Sequence, residues 1–183
     1  DVLSVSASTQ MINLIPVDSA GLPLMPCISW LDGRAGEEAN RVVRTLGGPT
    51  IFAAVVGVVL TGKDLLPKYL WLKRHVPDVY REAAAFVDAS GYLLHRLTGR
   101  MVCEWSVASV TGLFNVKTKV WDTGLMRIFG IDRAKFPELL RSFDQVGSLT
   151  RQAARALGLV EGTPVFGGAG DAQAAAVGSG AVG

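Results

Sequence analysis

Pro164-Val165-Phe166-Gly167-Gly168-Ala169-Gly170-Asp171, running on into Ala172-Gln173-Ala174-Ala175-Ala176-Val177, is the stretch on which the fold turns. Pro164 to Phe166 is short and apolar, as a buried strand is, and three glycines within the next four positions permit a tight turn free of side chains. Asp171 then opens an alanine-rich helix. A carboxylate is thereby expected at a strand-to-helix corner, with nothing bulky to keep a ligand away. The free N–H groups of the helix's first turn favour negative charge beside it. The plainer reading makes Asp171 an ordinary helix cap, which stabilises by ~1 kcal/mol and implies no chemistry.

The rest of the chain bounds the choice. Its 183 residues are 49% hydrophobic and 19% charged, enough for one well-buried domain or two small ones and unlike a disordered chain. Lys+Arg of 18 against Asp+Glu of 16 leaves +2, with no basic run interleaved with aromatics, so nucleic acid is not an expected partner. Cys27 and Cys103 fit no metal spacing and read as buried thiols, while His75 and His95 stand alone. A reduced, cytoplasmic protein without structural zinc is expected. The longest apolar run, Ile51 to Leu60, covers ten residues where a bilayer needs ~20, so it reads as a core segment and no membrane partner is expected. Asp1-Val2-Leu3-Ser4 has no signal-peptide character. With no initiator Met and an end just after a helix pattern, the chain reads as part of something longer.

Val2 to Val17 reads as two short extended segments forming a hairpin or meander, closed by Asp18-Ser19-Ala20-Gly21, and Ile28 to Trp30 as a third brief strand. Helical spacing covers Glu37 to Leu46, Pro67 to Val76, Asp78 to Phe86, Asp88 to Leu97, Trp121 to Phe129 and Arg151 to Leu157. Pro67 and Pro77 suit first-turn positions, and Gly99, Gly130 and Gly158 suit helix ends. Ser106 to Leu113 fits a short helix or a loop. Strands gather at the two ends and helices fill the middle, which predicts an α/β sheet carrying a helical insertion.

Two phosphate-loop look-alikes fail on context. Gly57 to Lys63 matches G-x-x-x-x-G-K, but Asp64 follows where a hydroxyl should hold Mg2+. Gly178 to Gly183 spells G-x-G-x-x-G after a helix pattern, without the strand that should precede it.

Several remaining segments together resemble the amino-terminal half of the FGGY carbohydrate kinases. Ser8-Thr9-Gln10-Met11, followed by Trp30-Leu31-Asp32-Gly33-Arg34, is similar to the family's Gly-Gln-Met stretch and W-x-D-x-R. Pro67-Lys68-Tyr69-Leu70-Trp71-Leu72 resembles its P-K-x-x-W-L helix. Asp88 through Tyr92-Leu93 to Leu97-Thr98-Gly99, then Glu104 through Ser106, Ala108-Ser109 and Thr111 to Leu113-Phe114, resemble D-x-x-x-Y-L-x-x-x-L-T-G and D-x-S-x-A-S-x-T-x-L-F. Gly158-Leu159, with Gly162-Thr163-Pro164-Val165 leading to Gly168-Ala169-Gly170-Asp171, is similar to G-L-x-x-G-x-P-V-x-x-G-x-G-D. Their order and spacing span nearly the whole chain.

The resemblance implies a ribonuclease-H-like domain of the actin and sugar-kinase superfamily over residues 1–183. Its first strands, with a D-x-G-T phosphate loop, would precede Asp1, and an ATPase half would follow Gly183. It implies ATP and Mg2+ as cofactors of the full-length protein and a small-molecule sugar or polyol as substrate. Asp171 is implied as the base that takes the proton of the attacking hydroxyl, and as the residue nearest the Mg2+ of Mg-ATP. Gly168, Gly170 and Ala172 would lie near the phosphates, and Gln10, Met11 and Ile12 would form the substrate loop. Met11 and Trp71 each read as either a substrate contact or core packing. Asp32 reads as a sugar contact or as a structural ion pair with Arg34, and Glu104 and Ser109 as ordering a loop near the cleft.

Departures from the pattern are informative. Ile12 stands where ketopentose kinases carry a histidine, Ala172 where many carry Asn or Gln, and Glu104 where Asp is usual. Two sugar hydrogen bonds would be missing, which leaves the substrate open. It also keeps a second class in view, a kinase-like module that binds a sugar or a protein without phosphoryl transfer. The chain alone is expected to lack kinase activity. A sheet edge left open by missing strands would need cover, for which a homodimer is one arrangement.

Overall fold

The computed structural model describes residues 1–56 and 59–181. In chain order its elements are β1 (Ser8–Thr9), β2 (Ile15–Val17), α1 (Gly36–Thr45), α2 (Pro49–Val56), α3 (Leu65–His75), α4 (Pro77–Glu82), β3 (Ala85–Val87) and α5 (Ala89–Thr98). There follow β4 (Val102–Glu104), α6 (Trp105–Ser109), β5 (Phe114–Asn115), β6 (Val120–Trp121) and α7 (Thr123–Phe129). The series closes with β7 (Glu138–Leu140), β8 (Gln145–Ser148), α8 (Arg151–Leu157), β9 (Pro164–Phe166), β10 (Ala169–Gly170) and α9 (Asp171–Gly178).

The expected opening hairpin does not form. β1 runs parallel to β10, with Ser8 opposite Ala169 and Thr9 opposite Gly170, and a parallel bridge between Val5 and Val165 extends the contact. β2 instead lies antiparallel to β3, Ile15 opposite Val87 and Val17 opposite Ala85. All three residues of β2 are buried, and a strand covered on every side must find its partners far away in sequence. Ile28 contributes only a bridge to Leu14, so the third strand expected over Ile28 to Trp30 is a single pairing.

Helices whose ends carry a chemical signal stand where the sequence puts them. Asp88, itself buried, caps α5 by accepting from Ser90 N (3.0 Å) and Gly91 N (2.9 Å), and Gly99 closes that helix in the left-handed region. Thr150 and Gly158 bracket α8 in the same way. Where no breaker stands in the chain, periodicity misleads. The helix expected over Asp78 to Phe86 stops at Glu82, and Ala85 to Val87 become β3, drawn into a fully buried slot beside β2. The helix expected from Trp121 begins at Thr123 behind its cap Asp122, leaving Trp121 in β6. Strands consequently punctuate the middle of the chain rather than gathering at its ends.

The larger core packs α1, α3, α6 and α7 around Leu14, Ile28, Leu65, Leu72, Leu113 and Met126. Tyr69 and Trp121 both stand edge-on to Phe136, with ring centroids 5.0 and 5.1 Å away. A second core joins α5 and α8 to β4, β8 and β9 through Leu94, Val102, Val146, Leu149 and Val165. The run from Ile51 to Leu60 is less interior than expected: Phe52 is buried, but Ile51 and Val59 are exposed, and Gly57 and Val58 lie outside the described residues. The look-alike loop at Gly57 to Asp64 is therefore described only in part. Its Asp64 turns inward on Thr61, accepting from N (2.7 Å) and Oγ1 (3.0 Å). The end of the look-alike at Gly178 to Gly183 also lies outside the described residues. Cys27 is exposed rather than buried, Cys103 is buried as expected, and both are free. Among the described residues no helix is long and apolar enough to cross a membrane.

Candidate active site

Gly167 and Gly168 make the turn between β9 and β10, and Gly170 is the residue before α9. Asp171 is thus the first residue of the helix, with Gly170 before it in the cap position. The carboxylate is exposed and accepts one hydrogen bond, from Ala172 N at 2.8 Å. It lines a cleft of about 270 Å³ together with Gln10, Met11, Ile12 and Trp30.

A half-buried serine and a buried glutamate hold this corner from behind. Gly170 N–H donates to Ser106 Oγ (2.9 Å), and the Ser106 hydroxyl donates in turn to the Glu104 carboxylate. Glu104, 2% exposed, also accepts from Ser106 N (2.9 Å) and Ser142 Oγ (2.6 Å), so every link between the buried charge and the corner is a hydrogen bond. Ser109, expected beside Glu104 in ordering this loop, instead donates to Ser106 O at 2.6 Å. On the near side, Thr9 Oγ1 and Gln173 Oε1 are buried without a protein partner. Both flank Gly170: Thr9 is its strand partner, and Gln173 Oε1 lies 2.9 Å from where a Gly170 side chain would begin.

The opposite wall has an unusual backbone. Ile12 sits at φ +62°, a left-handed conformation that costs an L residue roughly 1–2 kcal/mol and is rare for a β-branched one. Strain of this kind persists where surrounding structure imposes it, and it gathers at functional sites.

Of the residues read from sequence as substrate contacts, Gln10, Met11 and Ile12 reach the cleft and Asp32 and Trp71 are not among its walls. Asp32 is held by Arg34, whose Nε donates at 2.9 Å, so the structural alternative describes it. Trp71 stacks on His75 (5.1 Å between centroids, 14° between planes) and carries the Arg34 guanidinium 4.8 Å above its ring. These side chains make a cation–π stack that buttresses the loop after Trp30. Trp30 is the wall that sequence reading missed as a contact. Its exposure of 46% for so large an apolar side chain is a signal that only coordinates supply.

The Arg34 guanidinium holds the Asp32 carboxyl below its ordinary range. A depressed carboxylate stabilises the fold above the unfolded value of about 3.9, and that contribution is lost as pH falls through the lower folded value. With Arg34 40% exposed, Arg34→Gln should cost less than about 1 kcal/mol near neutral pH and progressively less as the pH is lowered, as denaturant melts over a range of acid pH would show.

Wider hollows are present too, one of them sharing Ile12 with this cleft. One of about 410 Å³ is lined by Arg41, Arg44 and Arg74, with Glu37 paired to Arg74. Another of about 430 Å³ is apolar, and its one carboxylate is the Thr61-bound Asp64. At Asp171, by contrast, an exposed acid at a helix start is held by a single backbone N–H.

This fold, with an acid at a glycine corner facing a cleft, is that of a sugar kinase's amino-terminal domain, ribonuclease-H-like with a helical insertion. The chain belongs to the FGGY family of carbohydrate kinases, whose N-terminal domain matches residues 1–178. It is 33% identical over 180 residues to a xylulose kinase of Staphylococcus xylosus, covering 98% of this chain and 37% of that one. Its structure resembles that of gluconate kinase from Lactobacillus acidophilus, with a TM-score of 0.87, 26% identity and coverage of 98% and 36%. It also resembles xylulose kinase from Rhodospirillum rubrum, with a TM-score of 0.85, 27% identity and the same coverage. The chain spans little more than a third of the length of each.

Proposed function

We propose that the full-length protein transfers a phosphoryl group from ATP to a hydroxyl of a sugar or polyol, with Asp171 as the general base. The observation that carries this reading is the exposed Asp171 carboxylate sharing one cleft with Gln10, Met11, Ile12 and Trp30. A polyol offers hydroxyl edges and C–H faces, and this cleft offers an amide and a carboxylate beside a thioether, a sec-butyl branch and an indole. The substrate oxygen attacks the γ-phosphorus, its proton passes to the Asp171 carboxylate, and ADP leaves. A base so placed contributes ~10²–10⁴ in rate.

The corner also fits a phosphate and its metal. The first N–H groups of α9 have no backbone acceptor within the helix, and Thr9 Oγ1 and Gln173 Oε1 stand unpartnered beside them. Gly168, Gly170 and Ala172 would lie along the phosphates, with Asp171 nearest the metal. Mg2+ carried with the nucleotide would supply neutralisation of phosphate charge. Among the described residues no group of three or more His, Cys, Asp or Glu is placed to hold a metal ion.

The substrate class is a sugar or polyol of the size taken by pentulose and aldonate kinases. Ile12 supports an apolar contact rather than a histidine hydrogen bond at that position. The full-length protein, assayed with ATP and Mg2+ against pentuloses, polyols and aldonates, should release ADP with at least one of them. The 183-residue chain alone should release none. Tight binding of a sugar by the full-length protein without ADP release would instead establish the non-catalytic module that the apolar Ile12 and Ala172 also suit.

A further inference from the structure

The two walls of the cleft come from separate stretches, Gln10 to Ile12 and Trp30, and the same two buried side chains tie both together. Lys68 of α3 is completely buried, and its Nζ donates to Ile12 O (3.1 Å) and Ser29 O (2.8 Å). Asn13, 1% exposed, donates from Nδ2 to Gln10 O (3.0 Å) and accepts at Oδ1 from Trp30 N (3.3 Å). Each side chain therefore holds one group on either wall, and neither lines the cleft itself.

Lys68 is a costly choice for a merely structural position. Burial of an ammonium without a carboxylate in contact is unfavourable, and Leu or Met would fill the same space more cheaply. Desolvation pushes its ammonium below the ordinary lysine range, opposed by the carboxylates of Asp32 and Asp64 and reinforced by Arg34. What an apolar residue could not do is hold the carbonyl of Ile12, a β-branched residue at φ +62°, where the unaided chain would relax to negative φ. The cation is spent on fixing the peptide that presents Ile12 and on joining it to the residue before Trp30.

We infer that Lys68, seconded by Asn13, is a positioning residue that sets the separation and orientation of the sugar-binding walls. The inference deepens the sugar-kinase reading and rests on it for the word sugar. The joining of the walls stands on the geometry alone.

The test is Lys68→Met in the full-length protein, with Asn13→Ala as the second variant, because it loosens the same walls without removing a buried charge. The sugar KM is expected to rise about tenfold or more in each, with the ATP KM within about twofold of wild type and kcat falling far less than kcat/KM. Backbone hydrogen exchange over residues 10–13 and 29–31 should accelerate at least tenfold, with α5 protected as in wild type. Unchanged sugar KM and unchanged exchange in a folded Lys68→Met protein would overturn the inference. If that variant does not fold, the same unchanged pair in Asn13→Ala would do so. A wild-type protein that phosphorylates no sugar or polyol would refute the kinase reading instead, and the exchange measurement would still decide whether Lys68 and Asn13 hold the walls.

Discussion

Asp171→Asn in the full-length protein should lower kcat by ~10²–10⁴-fold while sugar affinity stays within about threefold. Asparagine keeps the size of the side chain and its acceptor oxygen for Ala172 N, so the helix start and the cleft wall survive the change. What it loses is the capacity to take a proton from the attacking hydroxyl. Because Asp171 is exposed and the corner beneath it is fixed through Gly170, Ser106 and Glu104, folding should be nearly untouched. Rapid-quench turnover and calorimetric sugar binding on the same preparation separate the two quantities. Near-normal turnover would remove the assignment of Asp171 as base, and loss of binding with normal turnover would recast it as a substrate clamp.

The second large effect comes from two glycines, two residues apart, that should fail in different ways. Gly168 has φ +72°, and a methyl group there would stand 1.9 Å from Ala7 O, a backbone atom at the entry to β1. Gly168→Ala therefore combines left-handed strain with a clash that cannot be relieved by rotating a side chain. It should cost roughly 3 kcal/mol or more and break the pairing of β1 with β10. Gly170 has φ −60° and ψ 154°, which alanine adopts freely. Its methyl would meet Met11 Sδ at 2.3 Å and Gln173 Oε1 at 2.9 Å, both ends of flexible side chains. Gly170→Ala should fold, push Met11 into the cleft and raise the sugar KM about tenfold, the scale of one misplaced methyl group in a pocket. Thermal melts and sugar KM for the pair distinguish these cases. Equal stability loss in both would mean that the corner tolerates no side chain at all.

The stronger helix signals are legible without coordinates because they are local. An Asp at position 88 with free N–H groups two and three residues on, and a glycine at 99, cap α5 through contacts inside one turn. The strands are another matter. At two to four residues they are too short for alternation to register, and Ala83 to Val87 contains no breaker, so the spacing reads on as helix where β2 in fact draws Ala85 to Val87 into a strand. The same locality divides the site. Gln10 to Ile12 and Asp171 were found as members of motifs, whereas Asp32 and Trp71 belong to motifs just as clear and face Arg34 and His75 instead of the cleft.

By itself, then, the order of residues settled that a glycine corner would lead a carboxylate into an alanine helix, because a chain can make that turn only where side chains are absent. Tertiary structure decided what the carboxylate faces. The antiparallel bridge of Leu14 with Ile28 brings Trp30 alongside the Gln10 to Ile12 stretch, and a buried lysine 56 residues from Ile12 locks that peptide in place. Such contacts depend on which distant segments share a core, and no spacing along the chain records that.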